Sequence, residues 1–119
     1  MRILITGAFG QLGFALNDVL RDKFDVIRTG RVIPSGLKGI GLNIQDKIYL
    51  NEVIDATSPD LIINLAAMTN VDACERNPEI AKEVNIAGFQ HICDSFKGKI
   101  IQLSTDYVFD GKNGPYSED

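Results

Sequence analysis

Met1-Arg2-Ile3-Leu4-Ile5-Thr6-Gly7-Ala8-Phe9-Gly10-Gln11-Leu12-Gly13 opens the chain and decides how the rest of it is read. Arg2–Thr6 is a continuous apolar run, as expected of a strand with both faces buried, and such strands belong to parallel sheets covered by helices. Gly7, Gly10 and Gly13 then stand at G-x-x-G-x-x-G spacing. Leu12, Ala15, Leu16, Val19 and Leu20 follow at helical spacing, so the glycines form the turn between a strand and a helix. In that context Gly7 permits a tight turn, Gly10 lets the backbone approach a pyrophosphate, and Gly13 lets the helix pack closely on the strand. The helix start adds unpaired N–H groups and a positive dipole end. Gly7, Phe9, Gly10, Gln11, Leu12 and Gly13 are therefore candidate dinucleotide-binding residues.

Outward from this turn, strand and helix patterns alternate, which predicts an α/β fold. Residues 25–28 read as a second strand, 29–40 as a loop with three glycines and Pro34, and 40–42 as a short third strand. A second helix is expected over 46–56, with Ile48, Leu50, Val53 and Ile54 as its apolar members. Ser58-Pro59-Asp60 is a turn, and 61–65 is a fourth strand. Asn77-Pro78 reads as a cap and first helical position. That helix is expected to reach about residue 96, with Ile80, Val84, Ala87, Gly88 and Ile92 facing the sheet. Residues 99–103 form a fifth strand, and the remainder is loop. Right-handed crossovers then give a Rossmann-type doubly wound parallel sheet of order 3-2-1-4-5. Its ligand crevice lies between strands 1 and 4, where the order reverses, and residues 6–13 and the segment after Leu65 fall there.

The 119 residues fit one NAD(P)-binding domain, since a domain takes roughly 100–200 residues. Net charge is −4 with the signs intermixed, and there is no basic stripe of the kind that binds nucleic acid. No apolar run approaches the roughly 18 residues that span a membrane. The start is too short and glycine-bounded for a signal peptide, so a cytoplasmic location is expected. Cys74 and Cys93 lie 19 apart without metal-ligand spacing, and are read as reduced. No metal site is expected.

An acid at the end of the second strand would accept hydrogen bonds from a ribose 2′-hydroxyl and repel a 2′-phosphate. The chain instead has Arg28-Thr29-Gly30-Arg31, and Arg28 and Arg31 suit a 2′-phosphate clamp. NADPH is the expected cofactor, with NADH as the alternative.

The G-x-x-G-x-x-G spacing resembles the extended short-chain dehydrogenase family. In that family an aspartate usually contacts adenine where this chain has Asn43-Ile44, and an amide there still hydrogen-bonds the exocyclic amine. Leu65, Ala66 and Ala67 supply small residues where ribose and nicotinamide would lie close to backbone.

A narrower resemblance comes from Ser104-Thr105-Asp106-Tyr107-Val108-Phe109-Asp110-Gly111, with Asn64-Leu65-Ala66-Ala67-Met68-Thr69-Asn70-Val71-Asp72 and Pro115-Tyr116-Ser117-Glu118-Asp119. Together these are similar to the dTDP-4-dehydrorhamnose reductase family, collinearly over the whole chain. The resemblance implies reduction of the 4-keto group of a dTDP-6-deoxy sugar with a nicotinamide cofactor. It implies that Thr105 hydrogen-bonds the substrate ketone, and that Asp106, Tyr107 and Val108 help line the sugar site. Read without it, Ser104 and Thr105 are strand-end residues capping backbone groups.

Catalysis in that family also needs a proton-donating tyrosine and a lysine four residues later. Tyr49, Tyr107 and Tyr116 have no such partner. The isolated chain is therefore expected to be inactive, the cofactor portion of a longer reductase lacking the catalytic Tyr/Lys helix and the substrate lobe. The alternative is a non-catalytic NADP(H)-binding or regulatory module, for which the regulatory subunit of methionine adenosyltransferase, similar to the same family, is a precedent. Either way the open sheet edge calls for a cover, by a homodimer or a partner protein. His91, mid-helix without a partner in sequence, is read as structural.

Overall fold

The structure is a computed structural model that describes residues 1–66 and 86–102. Within them the elements are β1 (Arg2–Thr6), α1 (Gln11–Leu20), β2 (Asp25–Gly30), β3 (Ile40–Gly41), α2 (Lys47–Thr57), β4 (Leu61–Asn64), α3 (Gly88–Ser95) and β5 (Lys99–Gln102). All five strands are parallel, in the order β3-β2-β1-β4-β5.

Alternation along the strands sorts the core into two layers. Leu4 and Ile62 point to one face, where they pack with Leu42, Ile44, Leu50, Val53, Ile54 and Ile92 beneath α2 and α3. Ile3, Ile5 and Ile63 point to the other, with Ala8 and the half-buried Leu16 and Leu20 of α1. This two-sided burial is why the strands read as unbroken apolar runs.

The helices bury narrower stripes than their apolar content suggests. In α1 the buried face carries Gly13, Leu16 and Leu20, with Asn17 among them, at about 100° per residue. Leu12 and Val19, expected on the inner stripe, are exposed because they lie round the helix from it. In α2, Leu50, Val53 and Ile54 are buried, whereas Ile48 sits on the opposite side and is 76% exposed. Asp46 caps α2, its carboxylate accepting from the Tyr49 N–H at 3.1 Å. The helix ends at Ser58, in left-handed conformation just before Pro59.

β2 runs two residues beyond the expected 25–28, because Thr29 and Gly30 pair with Ile40 and Gly41 of β3. The buried Thr29 hydroxyl donates to the Ile5 carbonyl at 3.0 Å, fixing that extension. The expected helix start at Asn77-Pro78 and the end of the fifth strand at Leu103 lie outside the described residues.

Candidate functional site

The site lies where strand order reverses, at the carboxyl ends of β1 and β4. Gly7 has φ +60°, and a Cβ there would stand 2.7 Å from the Leu65 carbonyl carbon and 2.8 Å from the Ala66 nitrogen. Both conformation and space therefore demand glycine. The contact also brings the turn against the segment after β4, as the sequence predicts. At Gly13 a Cβ would stand 2.2 Å from the Ala8 carbonyl oxygen, so α1 sits directly on the turn.

Gly10 differs. It is exposed, its φ and ψ are −85° and 178°, and the nearest protein atom to an added Cβ is 3.9 Å away. Neither backbone nor internal packing requires glycine there. Gly10 is also the N-cap of α1, where no side chain caps the helix and no acid occupies the first turn. The leading N–H groups of a ten-residue helix are thus left to an outside acceptor.

A row of polar side chains crosses the sheet beside the turn. Thr6, Asn64 and Gln102 end β1, β4 and β5 in matched register. The Thr6 hydroxyl donates to Asn64 Oδ1, and Asn64 Nδ2 donates to Gln102 Oε1 at 2.6 Å. The Ala66 N–H is shared between Thr6 Oγ1 and Asn64 Oδ1, each at 3.3 Å. Thr6 and Asn64 are buried. Sequence reasoning missed this row, although three apolar strands each ending on a polar residue was a visible signal.

On the β2 side the Ala8 N–H donates to the Thr29 carbonyl at 2.9 Å, latching the turn to the strand end. Phe9 lies half-buried over Gly30 and Gly39, and Arg28 stands above its ring. Arg31 is exposed just beyond. Asn43 Oδ1 accepts from the Gln45 N–H at 3.0 Å, a local turn leading into α2. The Ile44 side chain is core: it presses on Gly88, where a Cβ would stand 2.4 Å from its Cδ1. The Ile44 carbonyl lies 2.9 Å from His91 Nδ1, which carries the proton in that hydrogen bond and ties α3 to the stretch after β3. Gln11 and Leu12 are exposed at the start of α1, and Leu65 and Ala66 are half-buried beside the turn. Ala67, Thr105, Asp106, Tyr107 and Val108 lie outside the described residues, as does Cys74, while Cys93 is a half-buried free thiol. Among the described residues no three His, Cys, Asp or Glu side chains gather as metal ligands, and no helix is long and apolar enough to cross a membrane.

Residues 1–119 match the RmlD substrate binding domain along their whole length. The chain belongs to that family. Among its curated relatives, dTDP-4-dehydrorhamnose reductase of Aggregatibacter actinomycetemcomitans is 40% identical over 98% of this chain and 39% of its own length. Methionine adenosyltransferase 2 subunit beta of Danio rerio is 36% identical over 98% of this chain and 36% of its own. The chain thus spans about two fifths of the curated relatives it matches. Of solved structures in or near the family, a hypothetical dTDP-4-dehydrorhamnose reductase from Sulfolobus tokodaii superposes with a TM-score of 0.86 at 43% identity, covering 100% of this chain and 44% of that one. The dTDP-4-dehydrorhamnose reductase of Bacillus anthracis, solved in complex with NADP, gives a TM-score of 0.80 at 30% identity, covering 94% and 39%.

Proposed function

We propose that residues 1–119 are the cofactor-binding portion of a reductase that uses NADPH to reduce the 4-keto group of a dTDP-6-deoxy sugar, converting dTDP-4-dehydrorhamnose to dTDP-rhamnose. The observation that carries the cofactor reading is Gly10, a glycine that the fold itself does not need, at the uncapped start of α1. A Cβ there would fill the ground from which a pyrophosphate reaches the helix N–H groups. The substrate reading rests on the family and on the relatives named above.

In this reading Gly7, Phe9, Gly10, Gln11, Leu12 and Gly13 cradle the pyrophosphate. Arg28 and Arg31 face the 2′-phosphate, and Asn43 and Ile44 border the adenine. Leu65, Ala66 and Ala67 leave room for ribose and nicotinamide. The bound cofactor supplies the hydride. Thr105 hydrogen-bonds the substrate ketone and polarises it for attack, while Asp106, Tyr107 and Val108 line the sugar site. Protonation of the alkoxide requires a tyrosine–lysine pair that these residues do not contain, so this stretch alone binds cofactor without turning over.

Titration of the 119-residue protein with NADPH, followed by the nicotinamide fluorescence, tests the cofactor role. Saturable binding that Gly10→Ala weakens at least tenfold, with the unfolding midpoint unchanged, is expected; no binding by the wild type overturns the reading. Turnover of dTDP-4-dehydrorhamnose by these residues alone overturns the assigned division of labour.

Similarity to the methionine adenosyltransferase subunit favours a second reading, a non-catalytic NADP(H)-binding module acting on a partner protein. The protein at its native length separates the two. It oxidises NADPH in the presence of dTDP-4-dehydrorhamnose under the first reading, and binds NADPH without turnover under the second.

A further inference from the structure

The Phe9 ring occupies a slot at the end of β2 that two glycines keep open. A Cβ at Gly30 would stand 2.9 Å from Phe9 Cδ2, and one at Gly39 would stand 2.6 Å from Phe9 Cζ. Neither glycine has a positive φ, so backbone conformation does not require them. Gly39 also faces the Arg28 carbonyl oxygen at 3.0 Å, but at Gly30 the ring is the one close neighbour. Phe14 closes the slot edge-on, its ring centroid 6.2 Å from that of Phe9 and its plane at 69°. The Arg28 guanidinium carbon stands 5.3 Å from the Phe9 centroid.

Resting on the dinucleotide reading above, we propose that Phe9 is a positioning residue for cofactor choice. Its ring takes the place of a side chain at residue 30 and holds the Arg28 guanidinium at the end of β2, so that the site selects a dinucleotide bearing a 2′-phosphate over one bearing a free 2′-hydroxyl. A carboxylate at a strand end of this kind is what accepts from a free 2′-hydroxyl. At Gly30 any such group has to displace the ring. A cation–π contact holds a guanidinium over a ring without consuming its N–H donors, and a phosphate takes such donors as charge-assisted hydrogen bonds. A flexible arginine without this floor loses rotamer entropy on each phosphate contact; one already seated on an aromatic ring loses less.

Calorimetric titration with NADP⁺ and with NAD⁺ tests this on the 119-residue protein and four variants: Phe9→Leu, Phe9→Tyr, Arg28→Met and the Phe9→Leu/Arg28→Met double. The wild type is expected to prefer NADP⁺. Phe9→Leu is expected to lower the NADP⁺/NAD⁺ affinity ratio about fivefold, beyond any loss common to both dinucleotides at the shared pyrophosphate cradle, and Phe9→Tyr to retain it. In the Arg28→Met background, Phe9→Leu is expected to change the ratio no further, which loss of packing alone does not produce. An unchanged ratio in Phe9→Leu, or equal losses for both dinucleotides, overturns the inference and leaves the dinucleotide reading standing. A wild type that binds neither overturns both. Should Phe9→Leu fail to fold, Phe9→Ala/Gly30→Asp vacates the slot and supplies the acid. A shift of preference to NAD⁺ supports the inference, and a retained preference for NADP⁺ overturns it.

Discussion

At Gly7 a left-handed backbone and a crowded neighbour act together, since φ is +60° and a Cβ would stand 2.7 Å from the Leu65 carbonyl carbon. Gly7→Ala is therefore expected to destabilise the fold by about 2 kcal/mol or more, read as a lowered denaturant midpoint. Gly13 is constrained by space, and there α1 has to lift off Ala8 to admit any side chain. A Cβ added at Gly10 would meet nothing beyond its chain neighbours closer than the Gly7 carbonyl oxygen at 3.9 Å. The contrast makes a sharp test: Gly10→Ala is expected to keep stability within about 0.5 kcal/mol while binding suffers, and Gly7→Ala to lose both. Arg31, exposed beyond β2, belongs to the same scale. Arg31→Ala is expected to weaken NADPH binding about tenfold and NADH binding little, since only a 2′-phosphate offers it a charged acceptor.

Elements are joined at their ends by polar side chains as much as by apolar faces. Asn64 bridges Thr6 of β1 and Gln102 of β5 from a fully enclosed position at the end of β4. Asn64→Leu keeps the branched shape but takes the acceptor from the Thr6 hydroxyl and leaves the Ala66 N–H to Thr6 Oγ1, and is expected to cost about 1–3 kcal/mol in urea unfolding. The α2–α3 contact carries a different polar link, with Lys47 Nζ 3.4 Å from Asp94 Oδ2 and Gln90 Nε2 2.9 Å from Asp94 Oδ1. The Gln90 amide, and after it Lys47, hold the Asp94 carboxyl below its ordinary value against the opposing effect of desolvation. Gln90→Ala is expected to move the Asp94 titration upward toward the usual carboxylate range, observed by NMR. The sign follows from removing a donor to the charged form: the lowered value favours the fold above the ordinary aspartate range, and that contribution fades as pH falls through the lowered value.

Across the whole molecule, stability rests on the two layers that sandwich the sheet, and only inward positions count. Leu50, enclosed between α2 and the strands, is expected to cost about 2–5 kcal/mol as Leu50→Ala, whereas Ile48→Ala on the same helix should stay within about 0.5 kcal/mol. A dinucleotide that binds only the folded protein should raise its stability by about 2.7 kcal/mol at one hundred times its dissociation constant, seen as a shift in thermal midpoint.

The sheet order and the glycine turn were legible because both follow from local pattern. Runs such as Ile3-Leu4-Ile5 and Leu61-Ile62-Ile63 have one stable use, burial on both faces, and a strand–glycine–helix opening fixes what comes next. Less was legible where a residue's role depends on what lies across from it. Thr29 looked like loop and is strand, because Ile40, eleven residues on, supplies its partner. Leu12, Val19 and Ile48 were apolar at plausible positions, yet the orientation of each helix on the sheet left them outside. Ile44 read, with Asn43, as a candidate cofactor-binding residue, and its side chain went into the core against Gly88.

By itself, then, the sequence determined the class of fold, the strand order and the turn, since hydrophobic period and glycine placement are properties of neighbouring residues. The tertiary structure alone decided that Phe9 fills the space above Gly30 and Gly39, that Arg28 rests on its ring, and that Thr6, Asn64 and Gln102 form one polar row. Those partners are distant in the chain, and only parallel pairing with a set register brings them within hydrogen-bonding or van der Waals reach.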